Sequence, residues 1–160
     1  MNHKNDKAGM VKIVYIEKVK SLFKAFIVRS SIIDMTTIVH FEIPADDIDR
    51  ARKFYSSLFG WKIEKWDDPK ASIDYWLINT TDSKGEKGLG GGLIKRMHPQ
   101  HRITDYIGVK SVDEHSAKVQ ELGGKIAVPK TAVPGIGYFA VCLDTENNDF
   151  AIFEPNENAK

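Results

Sequence analysis

A histidine and a glutamate two residues apart are the first candidates for chemistry in this sequence. His40 and Glu42 lie in the segment Thr37-Ile-Val-His-Phe-Glu-Ile43, whose length and β-branched residues predict a strand. Side chains two apart on a strand face the same side, about 7 Å apart along the chain. Such a pair acts as a base and its partner, or supplies ligands to a metal ion. The alternative is a polar pair that faces a wet cavity and binds nothing.

The elements that must position this pair occur twice along the chain. Residues 43–63 and 107–126 both read as the end of an apolar strand, a polar turn, a short amphipathic helix, a glycine stop and a new strand. Further strand-like segments follow each copy, and a repeat of this length does not easily bury its own core. We therefore predict an α+β fold of two tandem βαβββ modules, residues 35–97 and 98–160, whose curved mixed sheet surrounds a shared cavity.

The two predicted helices each carry an apolar stripe that is expected to face the sheet. In the first helix the stripe comprises Ile48, Ala51, Phe54, Tyr55 and Leu58. In the second helix it comprises Val112, Val119 and Leu122.

Glycines and aromatic residues mark where a ligand would approach. Gly91 and Gly92 belong to a glycine-rich strand, which indicates close approach to the backbone by a ligand or by the other module. Flat rings can sandwich a planar or apolar ligand, although they also pack ordinary sheets. About half of the strand aromatics are expected to face the core or the cavity, and the residues concerned are Trp61, Trp66, Tyr75, Trp76, Tyr138 and Phe139.

The composition excludes several classes of protein. A chain of 160 residues buries a sizeable core as one domain, and a net charge of +1 predicts no nucleic-acid footprint. No apolar run approaches the ~18 residues of a membrane-spanning helix. The single cysteine, Cys142, excludes an internal disulfide, suits a cytoplasmic location and is expected to be a buried, inert thiol.

Residues 1–34 lie outside the repeat. They carry seven Lys/Arg against three Asp/Glu, and their apolar residues fall at helical spacing. An amphipathic basic helix could lie on a membrane surface or dock on a partner, whereas the interspersed charges disfavour a cleaved signal peptide. Alternatively, Met35 is the natural start and the upstream segment is non-native or loosely attached.

Four segments match the pattern of a known superfamily. They are Val39-His-Phe-Glu-Ile-Pro-Ala-Asp-Asp47, Arg50-Ala-Arg-Lys-Phe-Tyr-Ser-Ser-Leu-Phe-Gly-Trp61, Gly90-Gly-Gly-Leu-Ile-Lys-Arg96, and the ending from Phe139 to Glu154. On these segments the chain resembles the vicinal oxygen chelate superfamily, which includes glyoxalase I, ring-cleaving dioxygenases and bleomycin-resistance proteins. The resemblance covers about residues 35–155, and its members commonly form homodimers.

The resemblance also implies where a metal would be held. Members with a metal place four ligands on inward strand positions, which correspond here to His40, Gly91 or Gly92, Thr104 and Ala151. Glycine and alanine side chains supply no donor, so the resemblance implies a glyoxalase-like protein without metal or cofactor. This protein would bind a small organic molecule between the modules, with His40 and Glu42 as candidate catalytic residues. The candidate ligand-binding residues are Tyr75, Trp76, Gly91, Gly92, Thr104, Tyr138 and Phe153.

Two alternatives remain open. One is a divalent-metal lyase or isomerase of the glyoxalase type that uses His40, Glu42, Glu154 and waters as ligands. The other is a non-catalytic protein that sequesters a drug or binds a partner.

Overall fold

Eight strands and two helices form the regular structure of the described residues. The computed structural model describes residues 36–66 and 74–160, so the predictions for residues 1–34 lie outside the described part. The strands are β1 (Ile38–Ala45), β2 (Lys62–Lys65), β3 (Tyr75–Asn79), β4 (Gly91–Lys95), β5 (Thr104–Gly108), β6 (Lys125–Val133), β7 (Gly137–Leu143) and β8 (Asp149–Pro155). The helices are α1 (Ile48–Phe59) and α2 (Val112–Glu121). The predicted α+β class is confirmed, and the order β-α-β-β-β occurs twice.

The strands form one mixed sheet in the order β2-β3-β4-β1-β5-β8-β7-β6. β1 is parallel to β4 and β5 is parallel to β8, whereas the other pairs with a described register are antiparallel. The first strands of the two copies meet in the middle of the sheet, where His40 lies opposite Tyr106 and Glu42 lies opposite Thr104. The predicted His–Glu pair therefore lies where the two sets of four strands join.

Both helices pack on the same face of the sheet, which we call the helix face. Under α1 the buried residues are Ile43, Ala45, Ile63, Ile78 and Leu93, and under α2 they are Val109, Val112, Ala140, Cys142 and Ile152. A third apolar cluster, which includes Tyr75, Tyr106, Phe139 and Phe153, lies on the opposite face. We call this the site face, and it spans strands of both copies.

The predicted stripe of α1 is only partly used by the core. Ile48, Ala51 and Tyr55 pack against the helix face, whereas Phe54 and Leu58 are each 57% exposed. The prediction was wrong for these two because the five positions span about 120° of the helix, which is wider than the contact with the sheet. Leu122 is also exposed, at 76%, because α2 ends at Glu121 and the helical register no longer directs its side chain inward.

Cys142 agrees with its prediction. The thiol is buried on β7, and burial raises its pKa to about 11, so little thiolate forms at neutral pH. Among the helices of the described residues, none has the length and apolar character needed to cross a membrane.

The turn between β1 and α1 contains a helix cap that can be tested. The Asp47 side chain accepts a hydrogen bond from the Arg50 backbone N–H at 2.9 Å, and the helix ends at Gly60 with a left-handed φ of 70°. We expect Asp47→Ala to lower the free energy of unfolding by about 1 kcal/mol, because the first-turn N–H loses its acceptor. Urea unfolding measures this loss. Asp49→Ala removes the same charge two residues later, in the first turn of α1, and an equal loss there would contradict a specific capping role.

Candidate active site

Four buried polar side chains meet on the site face beside the β1–β5 pair. His40, Glu42, Tyr75 and Tyr106 are each no more than 3% exposed. His40 Nε2 and Tyr75 Oη are hydrogen-bonded at 3.0 Å, with the donor set by the imidazole tautomer. The Tyr106 hydroxyl donates to Glu42 Oε2 at 2.9 Å. The alternation of side chains along β1 thus places His40 and Glu42 on one face, and each is hydrogen-bonded to a tyrosine from another strand.

Tyr75 reaches this cluster because Gly92 has no side chain. A Cβ built on Gly92 would lie 1.6 Å from Tyr75 Oη and 2.2 Å from its Cζ. The phenol ring therefore fills the volume that any other residue at position 92 would need. Gly91 leaves space on the helix face, since a Cβ built on it would lie 2.6 Å from the Phe41 ring. The glycine strand thus admits one aromatic ring on each side of the sheet.

Burial determines the protonation of the cluster at neutral pH. Loss of solvent lowers the pKa of His40 to about 3, so its imidazole is neutral. Loss of solvent, followed by the nearby charge of Glu42, raises the pKa of Tyr75 well above its usual value, so its phenol keeps its proton. The cluster thus combines a neutral imidazole, a carboxyl group that accepts a hydrogen bond from Tyr106, and two phenols. These groups can take up a proton and donate hydrogen bonds to a ligand oxygen.

Apolar residues surround the polar cluster. Phe139 and Phe153 lie opposite each other on β7 and β8 and are almost completely buried. Ala151 lies opposite Tyr106, and all of these residues belong to the same cluster on the site face. Hydrogen bonds to the polar groups are strengthened in such surroundings because the local dielectric constant is low.

Of the nine predicted site residues, the structure brings five together on the site face. A sixth, Gly92, leaves the space that the Tyr75 ring occupies. His40, Glu42, Tyr75, Thr104 and Phe153 lie on the site face, and Thr104 is 3% exposed opposite Glu42. Whether they bind a ligand stays a prediction.

Three predicted residues lie on the helix face instead. Trp76 packs beneath α1, Tyr138 packs beneath α2, and Gly91 accommodates Phe41. They lie away from the buried polar cluster because neighbouring side chains alternate along a strand, and their part in ligand binding stays a prediction. Tyr75 and Phe139 face the site, so the adjacent Trp76 and Tyr138 must face the helices.

Glu154 also lies away from the cluster. Its Oε2 accepts a hydrogen bond from the Val112 backbone N–H at 2.9 Å and lies 3.6 Å from Lys130 Nζ. The carboxylate therefore holds the first turn of α2 on the helix face. The atypical ligand set of His40, Glu42 and Glu154 is not brought to one point.

Tyr106 was missed by the sequence analysis. It is two residues after Thr104 on β5, so the alternation rule applied to that strand would have placed it on the same face. The T-shaped contact of its ring with His40, at 5.7 Å between centroids, adds to the hydrogen bond with Glu42.

Comparisons with known proteins agree with this architecture. Residues 37–71 match the family model described as Bleomycin resistance protein-like N-terminal. A glyoxylase-like domain-containing protein from Didymella fabae is 31% identical over 114 residues, which cover 69% of this chain and 88% of the relative. The chain belongs to the vicinal oxygen chelate superfamily.

Solved structures of this fold include two methylmalonyl-CoA epimerases. The enzyme from Streptomyces coelicolor, in complex with 2-nitronate-propionyl-CoA, is 14% identical with a TM-score of 0.53, over 76% of this chain and 99% of that chain. The enzyme from Mycobacterium tuberculosis is 13% identical with a TM-score of 0.53, over 77% and 93% of the two chains. At these identities the likeness concerns the fold alone.

The residues of this superfamily member do not fit the metal that the fold implies. Of the four corresponding positions, His40 is hydrogen-bonded to Tyr75, and Gly92 and Ala151 carry no donor atom. The Tyr75 ring fills the space that a metal-ligating side chain at position 92 would need. In the described ranges, no group of three or more His, Cys, Asp and Glu side chains is arranged to hold a metal ion.

Proposed function

We propose that this protein binds a small organic molecule on the site face, between two tandem modules and without a bound metal. The observation that carries the proposal is the buried cluster of His40, Glu42, Tyr75 and Tyr106 where β1 meets β5. Burying four polar groups is costly, and a face that served packing alone would be apolar. The proposal includes a sheet that curves around a cavity shared by the two modules.

The chemistry of the cluster favours a ligand with a carbonyl or hydroxyl oxygen. The Tyr75 phenol supplies the proton of a hydrogen bond, and the carboxyl group of Glu42 is the candidate proton acceptor, because an imidazole with a pKa of about 3 is a weak base. Conversion of the ligand would then be a proton transfer next to that oxygen. The phenyl rings of Phe139 and Phe153 would contact its apolar part.

A thermal-shift screen of small carbonyl and hydroxyl compounds, followed by calorimetry of the hits, tests this site. We expect His40→Ala and Tyr75→Phe to weaken binding at least tenfold, because each removes a hydrogen bond to the ligand or its partner. Tyr138→Phe is the matched control, since it removes the same hydroxyl on the helix face. Equal affinities in all three variants would refute the site. Binding without turnover of any hit would assign the sequestering function instead.

The proposed absence of a bound metal is tested by a separate measurement. Elemental analysis of protein purified without chelators or a metal-binding tag should give much less than one metal ion per chain. A near-stoichiometric content of Zn, Ni, Mn or Fe would overturn it. A homodimer and a cytoplasmic location, supported by the family resemblance and the single cysteine, complete the proposal.

A further inference from the structure

A tryptophan at the margin of the site face has a buried N–H group without a partner in the described part of the chain. Trp66 directly follows β2, and its side chain packs against the site-face cluster that includes Tyr75. The indole Nε1 atom is shielded from solvent, and it makes no hydrogen bond within the described ranges. Buried tryptophan N–H groups usually have a partner, because an unpaired donor costs free energy. The packing of the fold therefore does not account for this donor.

Alternation along β2 and one backbone hydrogen bond determine where the Trp66 side chain lies. Ile63 packs under α1 on the helix face, so Trp66, three residues later, is directed to the opposite face. The Trp66 backbone N–H donates to the Tyr75 carbonyl oxygen at 2.7 Å, which continues the antiparallel pairing of β2 with β3 by one residue. The indole is therefore a direct neighbour of the tyrosine whose hydroxyl is bonded to His40.

The order of the strands places Trp66 on one side of the polar cluster and two phenyl rings on the other. β2 is an outer strand of the sheet, whereas Phe139 and Phe153 lie on β7 and β8, beyond the junction of β1 with β5. Trp66 is only partly buried, so a ligand on the site face can reach its ring from the edge of the sheet. A ligand that extends from the cluster towards β2 thus meets a hydrogen-bond donor, and one that extends towards β8 meets apolar rings.

We propose that Trp66 determines ligand specificity by donating a hydrogen bond from Nε1 to a second acceptor atom of the ligand. This inference rests on the proposed function, in which the polar cluster binds a first carbonyl or hydroxyl oxygen. The ligand class is then a small, flat organic molecule with two separated acceptor oxygens, one for the cluster and one for Trp66. A site with such a donor discriminates against an analogue that lacks the second acceptor, because the N–H group stays unpaired in that complex.

Matched pairs of aromatic ketones test the second contact. The probes are the ortho, meta and para isomers of methoxyacetophenone and the corresponding ethylacetophenones, which have nearly the same shape and lack the ether oxygen. NMR titration of the full chain measures the Kd of each compound. We expect the wild type to bind at least one methoxy compound about fivefold more tightly than its ethyl counterpart, which corresponds to the gain of one hydrogen bond.

Replacing the indole of Trp66 with its sulfur analogue isolates the N–H group. Benzothienylalanine at this position keeps the shape of the two fused rings and lacks the donor, so the variant should bind both members of the pair equally. Tyr75→Phe should weaken the binding of both members and keep the preference for the methoxy compound. Trp76→Phe is the control, because Trp76 packs under α1 on the helix face, and it should leave both affinities unchanged.

The stability of the ligand-free protein gives a second, independent measurement. If the Trp66 N–H group has no structural partner, its removal costs no hydrogen bond. The Tm of the benzothienylalanine variant should then equal or exceed that of the wild type. A Tm that is lower by about 3 °C or more would reveal a structural partner and overturn the inference.

The binding data separate a failure of this inference from a failure of the proposed function. A methoxy preference that survives in the benzothienylalanine variant would refute the role of Trp66, while a loss of affinity in Tyr75→Phe would still support the polar cluster as the binding site. A wild type that shows no preference in any pair, or binds none of the six compounds, would also refute the role of Trp66. The proposed function is then decided by the wider screen with His40→Ala.

Discussion

Replacing Gly92 with alanine is expected to lower the free energy of unfolding by about 3 kcal/mol, the upper end of the usual cost of overpacking a core. The new methyl carbon would lie 1.6 Å from Tyr75 Oη and 2.2 Å from its Cζ. The ring cannot move aside cheaply, because it is fully buried and hydrogen-bonded to His40. Urea unfolding of the variant and the wild type measures the loss.

Gly90→Ala is the matched control for this prediction. A Cβ at Gly90 meets only the Ile78 carbonyl oxygen, at an ordinary 3.6 Å, and the residue immediately precedes the same strand. Combining Gly92→Ala with Tyr75→Leu should cost less than the sum of the two changes, because the smaller side chain vacates the contested volume. If the two alanine variants lose equal stability, the steric explanation is wrong.

Acidification is expected to destabilise the protein through His40. The pKa of His40 is about 3 in the folded state, against 6.5 for an unperturbed histidine, so below pH 6.5 the unfolded chain binds a proton that the folded chain does not. The stabilisation is complete above pH 6.5 and is lost as the pH falls towards 3, by roughly 1.4 kcal/mol per pH unit. Between pH 6 and pH 4 this amounts to roughly 2–3 kcal/mol.

His40→Gln isolates this contribution, because glutamine keeps a polar side chain that does not titrate. Urea unfolding of both proteins at pH 7, 6, 5 and 4 gives the difference in their free energies of unfolding at each pH. Other titrating groups contribute nearly equally to both proteins, so their effect largely cancels in this difference. The free energy of unfolding of the wild type, minus that of His40→Gln, should fall steadily below pH 6. A difference that stays constant from pH 7 to pH 4 would show that His40 is not buried as a neutral imidazole.

The local periodicity of the sequence was enough to predict the two helices, the strand around His40 and the shared face of His40 and Glu42. The two helices and the strand around His40 follow from apolar spacing, and the shared side of His40 and Glu42 follows from alternation along one strand. These features depend on the backbone geometry of a single segment, which the sequence of that segment determines.

The rest depends on contacts between segments. Alternation states that Tyr75 and Trp76 face opposite ways, but which of them faces the site depends on the register between β3 and β4. The partnership of Tyr75 with Gly92 depends on the same register, because it joins residues 17 positions apart across two strands. The exposure of Phe54 likewise depends on how far the sheet extends beneath α1. A single sequence carries no direct signal for these distances.

The composition of the two outermost strands restricts how copies of this protein can associate. β2 and β6 lie at the edges of the sheet, where free backbone groups would otherwise extend the hydrogen bonding into a neighbouring molecule. β2 is only four residues long and carries Lys62, Glu64 and Lys65, while β6 contains Pro129, which cannot donate a backbone hydrogen bond. Edge-to-edge aggregation is therefore disfavoured, and a specific assembly would have to use the faces or helices of the domain rather than a continuous intermolecular sheet.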